Sequence, residues 1–440
     1  MLTKTVLFAL IVAASASAQT ITLADALVRA QKYAPQLQTA NIAAQLAHED
    51  TKQARAATLP SVSALNQFIY TEGNGTPSGV FVANDGVHVY NEQVIAHEEL
   101  LALLRGGEVR YAAAAEAVAK ARVEVAARGL RSTVIQDYFA IVSAERKVRN
   151  TERSLDEARQ FVDITQKQER GGEAAHADVI KAQIQAQQRE REVSEAQLAD
   201  QKAKIALAVL IFPSLQVSYS VVDDLAQIGL LPPEPETVAQ ARASNPDLRA
   251  TSEALRQAKL GVSVARYGYL PSLGLDVFYG INANQFAART DEPTEGTRRS
   301  TLPNFIVPYR QNLGYSAMAT LNVPLWNWGS IHSKVKQAQL RSRQAELELA
   351  TTQKQVQSDI ATAYQEAKIA LAQLDLLRSS SNLSNESLRL TLLRYKAGES
   401  TTLEVVDAQN TATTARGAYD DGLVRYRIAL ENLKTLTGQP

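Results

Sequence analysis

Ala265-Arg266-Tyr267-Gly268-Tyr269-Leu270-Pro271-Ser272-Leu273-Gly274-Leu275-Asp276-Val277-Phe278-Tyr279 is the stretch on which the fold turns. Up to Tyr269 it continues an alanine-rich amphipathic segment that begins near Thr237. Pro271 drives the residue before it into an extended conformation, and from there the apolar spacing changes from helical to alternating. Leu273, Leu275, Val277, Tyr279 and Ile281 alternate with Ser272, Gly274, Asp276, Phe278, Gly280 and Asn282. A helix ends here and a strand begins. Leu313, Tyr315, Ala317, Ala319, Leu321 and Val323, alternating with small or polar residues, predict the returning strand. One apolar face and one small or polar face is the pattern of a membrane barrel, with lipid outside and water inside. A half-buried soluble hairpin has the same pattern.

The junction occurs twice. Ala30, Pro35-Gln36-Leu37, Ala54-Arg55 and Leu59-Pro60-Ser61 return 211 positions later as Ala241, Pro246-Asp247-Leu248, Ala265-Arg266 and Leu270-Pro271-Ser272. Gly172-Glu173, Val179 and Ala182-Gln183 return 226 positions later as Gly398-Glu399, Val405 and Ala408-Gln409. A period of about half a chain means two copies of one structural unit rather than a solenoid. The copies are expected at residues 19–230 and 231–440, and the difference of 15 between the offsets is extra length between Ser272 and Gly398. In the first copy, by homology, the strands are expected over about Val62–Tyr70 and Val87–Ile95. Gly-, Pro- and Asn-rich connections, 71–86 and 283–310, join the strands of each pair, as suits a barrel's outer rim.

After each hairpin the chain returns to helix at a glycine, Gly106-Gly107 or Gly329. It then runs more than 60 residues without proline to the next breaker, Gly171-Gly172 or Gly398. Such a helix is roughly 90 to 100 Å long at 1.5 Å per residue, more than an ordinary globular domain needs. Val134, Ile141, Val148, Leu155 and Val162 stand at seven-residue spacing, the mark of a supercoiled seam. In the second copy Ile360, Ala367, Leu374 and Leu388 follow the same frame, with Ser381 expected to interrupt it. A returning helix follows each turn.

Residues 1–18 have the form of a signal peptide: Lys4, an apolar run from Val6 to Ala14, then Ala16-Ser17-Ala18, which places the mature start at Gln19. With no cysteine, disulfides, thiolate metal sites and a lipid-modified N-terminal cysteine are excluded. The 46 basic and 46 acidic residues leave no electrostatic footprint for nucleic acid. The five histidines, His48, His88, His97, His176 and His332, lack metalloenzyme spacing, and no phosphate-binding or nucleophile-elbow motif stands in a strand-to-helix context. The chain reads as a non-enzyme without cofactor or metal. Because the longest apolar run of the mature chain, Ile205 to Phe212, is far short of the roughly 20 residues of a spanning helix, membrane residence means a barrel. The smallest such barrels have about eight strands, so four strands per chain must be pooled among subunits.

Pro246-Asp247-Leu248-Arg249-Ala250, Leu270-Pro271-Ser272-Leu273, Val323-Pro324-Leu325-Trp326 with Gly329, Tyr395-Lys396-Ala397-Gly398-Glu399 and Leu403-Glu404-Val405-Val406-Asp407-Ala408 together resemble the TolC-type outer-membrane efflux protein family. The resemblance covers essentially the whole mature chain and follows the order of both copies. It implies a mainly α fold with a small β part and a homotrimer. That trimer would form a 12-stranded transmembrane β-barrel continued by a periplasmic α-helical barrel. A periplasmic adaptor and an inner-membrane transporter are the implied partners, and the outer membrane the location. A soluble periplasmic coiled-coil adaptor or scaffold is the competing class, though it does not explain the two helix-to-strand transitions.

The resemblance also implies a tunnel gate at Glu404 and Asp407, with Asp178 at the matching place in the first copy, Lys181 in place of its second acid, and Tyr395 in the contacts that hold it. These acids also read as a solvated helix face beside a turn. Gly171, Gly172 and Gly398 mark hairpin tips for adaptor docking, and Pro60, Pro271 and Pro324 the transitions between helix and strand. Trp326 and Trp328 suit an interfacial aromatic girdle or a packing site between helices.

Overall fold

A computed structural model describes residues 19–71, 87–101, 106–284 and 313–437. The expected signal peptide, nearly all of both inter-strand connections, and residues 102–105 lie outside the described residues. In chain order the elements are β1 (Gln19–Ile21), α1 (Leu23–Tyr33), α2 (Pro35–Ala56), β2 (Ser61–Thr71), β3 (Val87–Glu99), α3 (Gly107–Gly171) and α4 (His176–Ile211). There follow β4 (Tyr219–Val221), α5 (Glu234–Ser244), α6 (Pro246–Tyr267), β5 (Ser272–Asn284), β6 (Leu313–Asn322), α7 (Ser330–Lys396) and α8 (Thr402–Leu436). The fold is mainly helical with a small sheet part. No helix among the described residues is long and apolar enough to cross a membrane.

The duplication is visible in the element bounds. α2 and α6 are both 22 residues long and start 211 apart, each opening at a proline whose predecessor, Ala34 or Asn245, is extended. The prolines at 60 and 271 stand at matching exits: turns at Leu59 and Leu270 close the helix, and β2 and β5 start at Ser61 and Ser272. Pro324 lies just past β6, on the way into α7. The extra length is also located. Ser61 pairs with His97, 36 residues on, and Ser272 with Asn322, 50 residues on, so 14 of the 15 additional residues lie within the second hairpin.

The chain forms two compact units, each taking segments from both copies: residues 1–43, 120–250 and 350–440 in one, 44–119 and 251–349 in the other. The second unit holds an antiparallel sheet in the order β2-β3-β5-β6. Register places Ala64, Val94, Tyr279 and Tyr315 in one row across all four strands, and Val62, Ala96, Val277 and Ala317 in another. Val62, Val94, Val277, Tyr279 and Tyr315 are exposed in the single chain. The opposite face carries polar pairs. His97 Nδ1 lies 2.6 Å from Asp276 Oδ1, and Asn91 donates to Gln67 Oε1 at 3.0 Å. Each outer strand, β2 and β6, has a strand neighbour on one side only among the described residues.

The first unit contains the main core, with Ile21, Val134, Ile135, Phe139, Ile141, Leu207, Ile211, Leu374 and Leu430 buried together. β1 runs parallel to β4, and the buried Tyr138 holds them. Its hydroxyl donates to the Val222 carbonyl at 2.8 Å and accepts from the Val222 N–H at 3.1 Å, while burial pushes its pKa up to about 12. Arg146 grips both oxygens of Asp223 at 2.8 Å and reaches Asp420 at 2.9 Å. Burial alone would raise the Asp223 pKa, but the guanidinium outweighs it and holds the carboxyl below its ordinary value.

The seams differ from expectation in one respect. Ile360, Ala367, Leu374, Ser381, Leu388 and Tyr395 are all buried, so the second copy keeps strict seven-residue spacing and Ser381 does not interrupt it. A small hydroxyl side chain is readily accommodated between closely packed helices, and the Ser381 carbonyl also accepts from Asn385 Nδ2 at 2.7 Å. In the first copy Val134, Ile141 and Leu155 are buried, whereas Val148 and Val162 are half-buried and Phe161 takes the inner place beside Val162.

Candidate functional site at the two helical turns

Both long helices end by the same device. Gly172 and Gly398 each take φ +78, a left-handed conformation that glycine adopts without a Cβ penalty. Across the turn Glu173 N–H donates to the Gln168 carbonyl at 2.8 Å, and Glu399 N–H to the Arg394 carbonyl at 2.9 Å. Together with the bonds from Gly172 N–H to Glu169 and from Gly398 N–H to Tyr395, these satisfy carbonyls that the helix end leaves unpaired. The returning helices start differently. Thr401 caps α8, its hydroxyl accepting from Glu404 N–H at 3.3 Å, whereas Ala175 offers α4 no side-chain cap.

Tyr395 is anchored, not merely laid over the turn. It is 5% exposed and meets Phe161 edge-on at 5.1 Å, an aromatic geometry worth about 0.5–1.5 kcal/mol beyond burial. Its hydroxyl is 3.3 Å from Thr402 Oγ1, and its carbonyl accepts from Gln168 Nε2 at 3.2 Å. Ala182 and Val405 complete this small core, so each returning helix contributes one residue from the duplicated motif. Sequence reasoning identified Tyr395 but missed Phe161, Gln168 and Thr402, which hold it. Phe161 could have been found as the bulkier neighbour of Val162 in the heptad frame.

Asp178, Tyr395 and Gly398 come together in one cleft of about 540 Å³, lined also by Gln168, Thr401 and Leu403. Glu404 and Asp407 are outside that lining, on the exposed face of α8. Gly171 and Gly172 stand exposed at the first turn. Asp178 is half-buried with Lys181 Nζ 3.7 Å away, so the first copy partly neutralises its acid. At the second turn Glu404 accepts from Ser400 Oγ, which together with the positive field of Arg394 holds its pKa below the ordinary value. Among the described residues no group of acids and histidines could hold a metal ion.

Behind the turns, α3 and α8 are joined by Glu157 and Arg416, two parallel hydrogen bonds of 2.8 Å each. Burial would raise the Glu157 pKa, but Arg416 and then Arg153 outweigh it and keep the carboxylate ionised below its usual range. A second buried arginine, Arg189 on α4, finds Glu192 of its own helix at 2.6 Å and the amide oxygen of Asn410, while the position 226 before Arg416 is Glu190.

Residues 237–439 match the family model described as outer membrane efflux protein. OprJ, an outer membrane protein of Pseudomonas aeruginosa, is 25% identical over 333 residues, 74% of this chain and 63% of OprJ. TolC of Escherichia coli is 22% identical over 209 residues, 47% of this chain and 41% of TolC. The alignments thus span less than two thirds of either relative. Among solved structures, the Campylobacter jejuni outer membrane channel CmeC superposes with TM-score 0.79 at 18% identity, covering 94% of this chain and 85% of CmeC. The outer-membrane channel OprN gives 0.80 at 16% identity, covering 95% and 90%.

Proposed function

We propose, from the match of residues 237–439 to the outer membrane efflux protein model, that the chain is a member of that family and the outer-membrane exit channel of an efflux or secretion system. Three copies pool their strands into a 12-stranded barrel, and their helices form a tunnel across the periplasm that carries substrates and performs no chemistry. A periplasmic adaptor reads the hairpin tips at Gly171, Gly172 and Gly398, and an inner-membrane transporter drives transport. The observation that carries this reading is the four-stranded sheet with an exposed apolar face and two outer strands that have no second neighbour among the described residues. In lipid an unpaired strand edge leaves backbone groups without partners, at several kcal/mol each, so the sheet closes only by pairing with other copies. A periplasmic scaffold has no use for such a sheet.

Glu404 and Asp407, with Asp178 and Tyr395 at the turns, form the gate in this reading. Three copies of two exposed acids at a narrow end concentrate negative potential where water is confined, which favours cations. Reversal potentials across a salt gradient in planar bilayers test this. The wild type should be cation-selective and the Glu404→Ala, Asp407→Ala double variant less so, while the same changes at Glu346 and Glu348, expected midway along the long helix but standing in the first third of α7, should matter less. Unchanged selectivity in the double variant would show these acids to be only a solvated helix face.

A further inference from the structure

Four hydrophobic side chains on α7, Ile369, Leu376, Leu383 and Leu390, stand at strict seven-residue spacing and all are exposed, Leu376 and Leu383 at 72% and 68%. Each lies two residues on from the buried seam of Ala367, Leu374, Ser381 and Leu388, about 200° round the helix and so on its opposite side. α4 repeats the pattern. Ile184, Leu198 and Ile205 are exposed on one such frame, and Arg191, also exposed, takes the missing step. Both stretches belong to the same compact unit, yet the chain covers neither stripe. An apolar heptad facing water marks a helix whose partner is missing.

The duplication identifies that partner. Within the chain α3 and α8 meet antiparallel through hydrogen bonds between Ser143 and Asp421, Asn150 and Thr413, Ser154 and Thr413, and Glu157 and Arg416. A Cβ at Gly417 would stand 3.7 Å from Asn150 Nδ2, which sets the register. Moved on by 226 positions, Ser143, Asn150 and Glu157 become Ile369, Leu376 and Leu383; moved back by 226, Asn410, Gly417 and Val424 become Ile184, Arg191 and Leu198. The stripes are therefore the faces of a second junction of the same kind, α7 on α4, which a single chain leaves unmade. We propose that successive copies make it, α7 of each chain packing antiparallel on α4 of the next. Leu383 then meets the partner's Ile184, Ile369 the partner's Leu198, and Leu376 the stem of the partner's Arg191. This rests on the trimer proposed above and supplies its helical junction. A head-to-tail contact closes a ring when every copy offers both faces, as this chain does. An unrelated partner has no reason to match the chain's own repeat offset. The two junctions differ in chemistry, polar and hydrogen-bonded within a chain, apolar between copies. Apolar burial supplies the driving force that separate chains need to associate, whereas the in-chain faces are already tethered.

Because the chain has no cysteine, introduced pairs report without background. Leu383→Cys with Ile184→Cys, and Ile369→Cys with Leu198→Cys, are oxidised with copper-phenanthroline in isolated outer membranes. Each pair should link most chains into dimers and trimers on non-reducing gels. Leu376→Cys with Ile184→Cys, one heptad or about 10 Å out of register, should link at least about fivefold less. Ser154→Cys with Thr413→Cys, whose hydroxyls are 2.8 Å apart within the chain, should give a linked monomer and serves as the control for oxidation. Arg191→Leu completes the stripe and should raise the temperature at which trimers dissociate, and an unchanged or lower temperature would overturn the apolar seam. No links from either in-register pair in a protein that is still a trimer, or stronger linking of the shifted pair, would overturn the proposal and leave the channel reading intact. A membrane-inserted monomer would overturn both.

Discussion

At the first helical turn Gly172 takes φ +78, α4 starts without a side-chain cap, and Asp178 has Lys181 beside it. At the second, Gly398 takes the same φ, Thr401 caps α8, and Glu404 and Asp407 are exposed with Ser400 bonded to Glu404. The backbones are copies and the side chains are not. Duplication has kept what a turn between antiparallel helices requires, a left-handed glycine and its crossing hydrogen bonds, while charge and capping have diverged. The second turn is thus the better candidate for gating, and the first resembles a structural counterpart.

The largest expected difference concerns the two buried arginines of the returning helices, Arg416 on α8 and Arg189 on α4, which stand one position out of register between the copies. Arg416→Ala removes two hydrogen bonds from the mostly buried Glu157 and leaves it only the exposed Arg153 as cationic partner, which should cost about 2–3 kcal/mol. Arg189→Ala removes a cation paired mainly within its own helix and should cost about 1–2 kcal/mol. Thermal unfolding of the detergent-solubilised assembly would measure both, and equal losses would break the asymmetry. Next come the features the copies share: Gly172→Ala and Gly398→Ala should each cost about 1 kcal/mol, because alanine resists positive φ. A loss at only one turn would mean that the backbones are not equivalent.

Capping should give opposite signs. Thr401→Ala should destabilise by about 1 kcal/mol and Ala175→Thr should stabilise by a similar or smaller amount. The smallest effect is on titration. Glu404 has a folded pKa below its unfolded value, so its contribution to stability is present above the unfolded value and lost as pH falls through the folded one. Ser400→Ala removes the largest cause of that depression and should move the Glu404 titration, followed by NMR, upward. No movement would separate Glu404 from the Ser400 bond.

Much of this was legible because it is local. Proline fixes its predecessor, alternation fixes a strand, and the offsets of 211 and 226 reappear as element spacings. The seven-residue seam was also legible, yet Ser381 was misjudged, since a hydrophobic pattern cannot tell that a small polar residue fits a closely packed groove. What escaped was long-range. β1 has only three residues, too few for a period, and its partner β4 is about 200 positions away, joined through the Tyr138 hydroxyl. Glu157 and Arg416 are 259 apart and read in sequence as two ordinary charges on helix faces. The division into compact units, each drawn from both copies, likewise has no local signature.

The central claim is that this four-stranded sheet is completed by other copies of the chain. Native mass spectrometry of protein extracted from outer membranes in mild detergent tests it most directly. The account predicts three chains, rich in helix with a minor β component. A folded, membrane-inserted monomer would contradict it.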